Sequence, residues 1–184
     1  MRKILGMFIL IAGILIAVTA SSAHFAYFEA SRDVHVAVVP DDVEFIDLVP
    51  LQQYAFIDDD GTLVVDLSTG NSNWMEGFGM GVSPNSTYVF KGVFGVSNDL
   101  WEDMPICVHI QYSASEYEGA GGNILFFTGD YTGQPGATAL TFTVMPGDMV
   151  EIGMILDSTD MVDGDMFDGK LSITAYAGAC PEVD

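Results

Sequence analysis

The sequence predicts an all-β protein: an antiparallel β-sandwich of the jelly-roll kind, about nine or ten short strands preceded by an N-terminal signal or anchor helix. Three observations predict it. Apolar and polar residues alternate at period two in five separate stretches beyond the leader. Clusters of Gly, Pro, Asn and Asp separate those stretches at short intervals. Beyond the leader, no stretch carries apolar residues at the 3.6-residue spacing of an amphipathic helix.

The leader comes first. Arg2 and Lys3 precede an apolar run over 4–18, and small residues follow at Ala20, Ser22, Ala23 and Ala26. This is the layout of a secretory signal, with cleavage after Ala20, Ala23 or Ala26. A retained anchor is the alternative, although 4–20 falls a little short of the roughly 20 residues that span a bilayer. The expected organisation is a signal peptide or anchor over 1–23 and one sandwich domain over 24–184.

The body begins with no flexible spacer. Residues 34–39 are rich in Val and stop at Pro40, and 43–48 form a second short run ended by Pro50. Residues 54–57 lead into Asp58-Asp59-Asp60-Gly61, a hairpin turn, and 62–67 return as its partner. Residues 68–81 form a Gly- and Asn-rich loop whose Trp74, Met75, Phe78 and Met80 are expected to anchor it to the core rather than to meet a ligand. After Ser83-Pro84-Asn85, the residues Tyr88, Phe90, Phe94 and Val96 alternate onto one face, with a bulge or a close backbone approach expected at Gly92. Ile106, Val108, Ile110 and Tyr112 alternate in the next strand, which turns Cys107 and His109 away from the core. Residues 116–123 are a Gly-rich loop and 124–128 a short strand. The patterns at 140–144, 149–156 and 170–177 complete the set.

The charge is one-sided: 26 acids against 5 Lys and Arg, a net charge of -21. Such a chain repels nucleic acid and anionic lipid, so neither is an expected partner, and contact with a membrane is expected only through an uncleaved leader. Cys107 and Cys180 stand in a chain read as exported, where a disulfide persists; two separate thiols or an intermolecular bridge are the alternatives.

Catalytic chemistry finds no footing. There is no His-Glu-x-x-His to place two ligands and a base on one helix face, no Gly-x-Ser-x-Gly elbow and no phosphate-cradling loop. The scattered His24, His35 and His109 propose no metal centre, apart from a two-ligand pairing of His109 with Cys107 that is outweighed by two outward side chains. A non-enzyme is expected, with a metal-dependent hydrolase as the remote alternative. For calcium, Asp160, Asp163, Asp165 and Asp168 crowd one loop with hard oxygen donors, but out of the EF-hand register; a solvated acidic turn is the competing reading. No other cofactor is expected. For modification, Asn85-Ser86-Thr87 is an acceptor sequon in a turn.

A resemblance adds a function. Ala26-Tyr27-Phe28 just past the leader resembles the start of TasA/camelysin-like secreted fibre proteins. Arg32, the Val-rich 34–39, Asp41-Asp42, the stretch from Gly81 to Ser86, Ser97-Asn98 and Pro146-Gly147-Asp148 are similar to a family of archaeal cell-surface β-domains related to them. The resemblance implies a secreted or cell-surface, non-enzymatic subunit of a fibre or biofilm matrix. It also implies self-association, in which the N-terminal segment of one copy adds a strand to the next. Phe25, Tyr27, Phe28, Val34, Val36 and Val38 would carry that donor strand. An ordinary edge strand over 34–39 in a monomeric, membrane-anchored surface or binding domain is the alternative.

Overall fold

The computed structural model describes residues 38–114 and 123–181. The leader, most of the donor segment and the helix expected before the sandwich lie outside the described residues. Among the described residues the protein is all-β, with nine strands and antiparallel pairing throughout.

The strands are β1 (Leu48–Pro50), β2 (Ala55–Ile57), β3 (Leu63–Val65), β4 (Thr87–Ser97), β5 (Ile106–Ala114), β6 (Asn123–Thr128), β7 (Ala139–Val144), β8 (Met149–Asp157) and β9 (Gly169–Ala177). One sheet runs β1-β4-β8-β6, a second runs β7-β5-β9, and β2-β3 is a separate hairpin. From β4 onward each strand lies in the sheet opposite its predecessor. Every connection therefore crosses the sandwich, which is how the period-two pattern of each strand comes to feed one shared core.

That core contains Val93, Phe94, Val96, Ile152, Met154 and Leu156 of the first sheet with Ile106, Val108, Ile110 and Val144 of the second. Side chains of this size contribute about 1.5–3 kcal/mol each when removed from water. Against the first sheet's β8, strand β4 carries an irregularity. Phe90 pairs with Met154 and Phe94 with Ile152, so four steps on β4 match two on β8. Gly92 sits inside this bulge at φ 53°, as the sequence pattern predicts, and the Glu151 carboxylate occupies the space a Cβ would need.

Two expectations need correction. The run 43–48 is not a strand. Residues 43–46 form bends, closed by the Val43 N–H on the Pro40 carbonyl and the Leu48 N–H on the Asp41 carbonyl, and pairing begins at Leu48. Val43 and Phe45 are exposed, with Phe45 edge-on to Trp101 at 5.5 Å. Pro50 closes a strand on the rim of the sheet, where a missing N–H is tolerated. The loop over 68–81 is also less anchored than its apolar residues suggest: Met75, Phe78 and Met80 are exposed.

Candidate functional site

The two edges of the sandwich differ. On one side Phe126 and Ala137 exchange both backbone hydrogen bonds, at 2.7 and 2.9 Å, which stitches β6 of one sheet to the approach of β7 in the other. On the other side β1 and β9 are both terminal strands of their sheets, and among the described residues no ladder joins them. A seam of about 250 Å³ lies there. Its walls are Ile46, Leu48, Leu63, Leu171, Ile173 and Ala175.

The sequence explains why this seam is apolar. Leu171, Ile173 and Ala175 are the inward residues of β9, yet they remain only half-buried, whereas Ile110 and Val108, the β5 partners of Ile173 and Ala175, are sealed. The inner face of β9 is thus built for burial and only partly covered. Among the described residues the outer edge of this nine-residue strand has no ladder partner, the feature that invites another strand.

The mouth of the seam is acidic. Asp41, Glu44 and Thr62 line it. The Asp41 carboxylate accepts the Leu63 N–H at 2.8 Å, and the Asp41 N–H donates to the Gly61 carbonyl at 2.9 Å, which fixes the chain just after Pro40 against the β2–β3 hairpin. Burial, then the charges of Asp41 and Asp47, hold the Glu44 carboxyl above its usual range. Asp47 is raised in the same way, by burial first and then by Asp99 and Asp42, with a backbone hydrogen bond from Glu44 opposing. One of its carboxylate oxygens is buried without a hydrogen-bond partner.

The other residues singled out in the sequence fall in separate places. Cys107 of β5 and Cys180 beyond β9 are bonded, with Cα atoms 4.7 Å apart, and the Cys180 N–H is held by the Thr143 hydroxyl at 2.9 Å. The bridge spans the second sheet on its outer side and uses the thiol that a Cys107–His109 metal pair would need. His109 instead shares a 2.9 Å hydrogen bond with Thr141 on the neighbouring strand.

Asn85 is exposed in a turn at φ 49°, and its side-chain carbonyl accepts the Asp160 N–H at 3.0 Å. Glycosylation modifies the amide nitrogen, so this bond is compatible with a glycan. Beneath the turn the buried Ser158 hydroxyl faces the Ser83 and Ser86 carbonyls at 2.7 and 2.8 Å and accepts the Ser86 N–H at 2.9 Å. In the acidic loop, Asp165 accepts the Val162 N–H at 2.8 Å, and the Asp168 carbonyl accepts the Tyr112 hydroxyl at 3.1 Å. Among the described residues no group of three His, Cys, Asp or Glu is gathered as a metal site. Of the donor-strand residues only Val38 is described, and it is 98% exposed.

The seam was not legible in the sequence, because β9 lies more than a hundred residues along the chain from β1 and β3, which form the rest of it. Its one sequence signal was the alternation of Leu171, Ile173 and Ala175, which marks an inward face without saying how well it is covered.

The fold and this edge define a strongly acidic, disulfide-tied, antiparallel β-sandwich domain that, among the described residues, is stitched on one side and open on the other. Within that class the chain belongs to the family described as "Protein of unknown function (DUF1102)", whose model matches residues 38–180. That span takes in every described strand, both cysteines and all the seam residues. None of the curated proteins compared with the chain matches it.

Proposed function

We propose that this is a secreted, non-enzymatic structural protein of the cell surface, a fibre or matrix subunit that assembles by strand donation. The observation that carries the reading is the open β9 edge beside an apolar seam. An added strand would pair with the nine-residue edge and cover Leu171, Ile173 and Ala175. The N-terminal segment suits that task. Val34, Val36 and Val38 alternate at the period of a strand, and Phe25, Tyr27 and Phe28 precede them. Arg32 is the sole Lys or Arg between the leader and Lys91, and it would meet a seam whose mouth is lined by Asp41 and Glu44. The likeness to archaeal surface β-domains and TasA-like fibre proteins points the same way.

A second reading has its own support. Asp41 lies at the mouth of the seam, three residues after Val38, so the same segment is within reach of its own β9 and would complete a monomeric surface domain. Deletion of residues 24–33 separates the two. Donation predicts that filaments disappear while the sandwich still folds. Filaments that persist without this segment remove the donor role.

A further inference from the structure

Where β4 begins, the loop over 68–82, the residues flanking the β2–β3 hairpin and β4 enclose a half-open cleft of about 320 Å³. We infer that this cleft is a binding site for an uncharged saccharide. Five aromatic residues line it: Tyr54, Trp74, Phe78, Tyr88 and Phe90. Tyr54 and Phe90 meet edge-to-face at 5.2 Å and 71°, and Tyr88 lies nearly parallel to Phe90, 13° between planes. The cleft therefore has apolar walls in two orientations, which suits the C–H faces of successive sugar rings.

The walls are held in advance. The Trp74 indole N–H donates to the Gly79 carbonyl at 3.1 Å, and the Tyr88 hydroxyl accepts the Ser83 N–H at 3.1 Å. Asn71, itself buried, donates through its amide to the Gln53 and Asp66 carbonyls, and its side-chain oxygen takes the Asn73 N–H at 2.7 Å. The Asn73 amide also reaches the Gln53 carbonyl at 3.1 Å. This network spends loop polar groups on loop shape, while Phe78 and Tyr54 stay 43% and 41% exposed. An apolar surface costs free energy in water, and a loop braced to display one is the arrangement of a preformed site.

The polar rim selects the ligand class. Gln53, Asp66, Ser68 and Asn73 offer amide, carboxylate and hydroxyl partners for sugar hydroxyls. Among the described residues no Lys or Arg lines the cleft, and the chain carries a net charge of -21, so phosphorylated or carboxylated ligands are disfavoured. A cation held by the aromatic faces and Asp66 is the competing chemistry.

The full mature chain offers a direct probe, because Trp74 and Trp101 are its two tryptophans. In a Trp101→Phe background the remaining emission reports on the cleft. Maltotriose, cellotriose, mannotriose and triacetylchitotriose are titrated to tens of millimolar, with choline chloride as the cationic control. The expected result is a saturable shift with at least one trisaccharide and none with choline, weakened roughly tenfold by Tyr54→Ala. Phe78→Ala is expected to act in the same direction, and melting curves show that both variants fold. Silence from all four sugars, a response to choline alone, or unchanged binding in both folded variants would overturn the assignment.

Discussion

Phe126 and Ala137 clasp one side of the sandwich with a reciprocal pair of backbone hydrogen bonds, and among the described residues the opposite side has no equivalent. Under the proposed strand donation, β9 would be the acceptor. A polar group placed in the seam should therefore oppose strand addition more than it opposes folding. Ile173→Lys is expected to abolish assembly and to lower the melting temperature only modestly, since Ile173 is half-buried already. Microscopy and thermal melting of the same preparation check both halves.

The Cys107–Cys180 bridge closes a separation of 73 residues. In the chain-entropy description a loop of that length contributes roughly 4 kcal/mol to stability. Replacing both cysteines with serine, or melting under reducing conditions, should lower the melting temperature by roughly 10 °C. Urea denaturation with and without reductant measures the difference.

Gly153 and Gly95 look alike in the sequence and should behave differently. A methyl on Gly153 would stand inside the Phe127 ring, in a part of β8 where both neighbours are buried. Gly153→Ala should cost about 1–3 kcal/mol through overpacking. A methyl on Gly95 meets the Met149 side chain, which is 42% exposed and free to swing aside, so Gly95→Ala should cost less. Chemical denaturation of the two variants ranks them.

Asn98 is 1% exposed. Its amide donates to the Met104 and Val144 carbonyls at 2.9 and 3.1 Å and so joins the β4–β5 turn to the end of β7. Asn98→Ala strands those carbonyls in the interior, at about 1–3 kcal/mol for a buried group left unsatisfied. The loss should appear as lower stability together with faster amide exchange across residues 98–105.

Asp47 supplies a pH signature. Its folded pKa lies above the ordinary 3.8, because burial and the Asp99 and Asp42 carboxylates disfavour the charge. The folded state then holds the proton more tightly than the unfolded chain, so this group's contribution falls as pH rises from 3.8 through the raised value, and stays lower above it. Asp47→Asn removes that penalty. The variant should melt above the parent at pH 7, and the gap should close in acid below the ordinary carboxylate range.

Strand existence was legible where packing obeys a simple period. Tyr88, Phe90, Phe94 and Val96, or Val150, Ile152, Met154 and Leu156, could only be buried by a strand, and Gly92 announced the bulge between them. Residues 43–47 misled because Val43 and Phe45 also alternate, yet Val43 closes a turn through its N–H on the Pro40 carbonyl, while the Phe45 carbonyl accepts the Asp99 N–H and its ring meets Trp101. The aromatic residues of the 68–81 loop were expected to be buried. Trp74 does close its own loop, but Phe78 faces solvent, because the polar network around Asn71 already holds the loop without it. Neither the seam nor the cleft could be seen in advance: the seam lies between the terminal strands β1 and β9, and the cleft where the loop over 68–82 folds back beside Tyr54, Tyr88 and Phe90.

Cross-linking between copies tests strand donation at its point of contact. A chain carrying Val36→Cys is mixed with one carrying Ile173→Cys and oxidised under native conditions. Donation predicts a covalent heterodimer from the mixture. A bridge that forms only within a chain carrying both substitutions, with no product between copies, would contradict it.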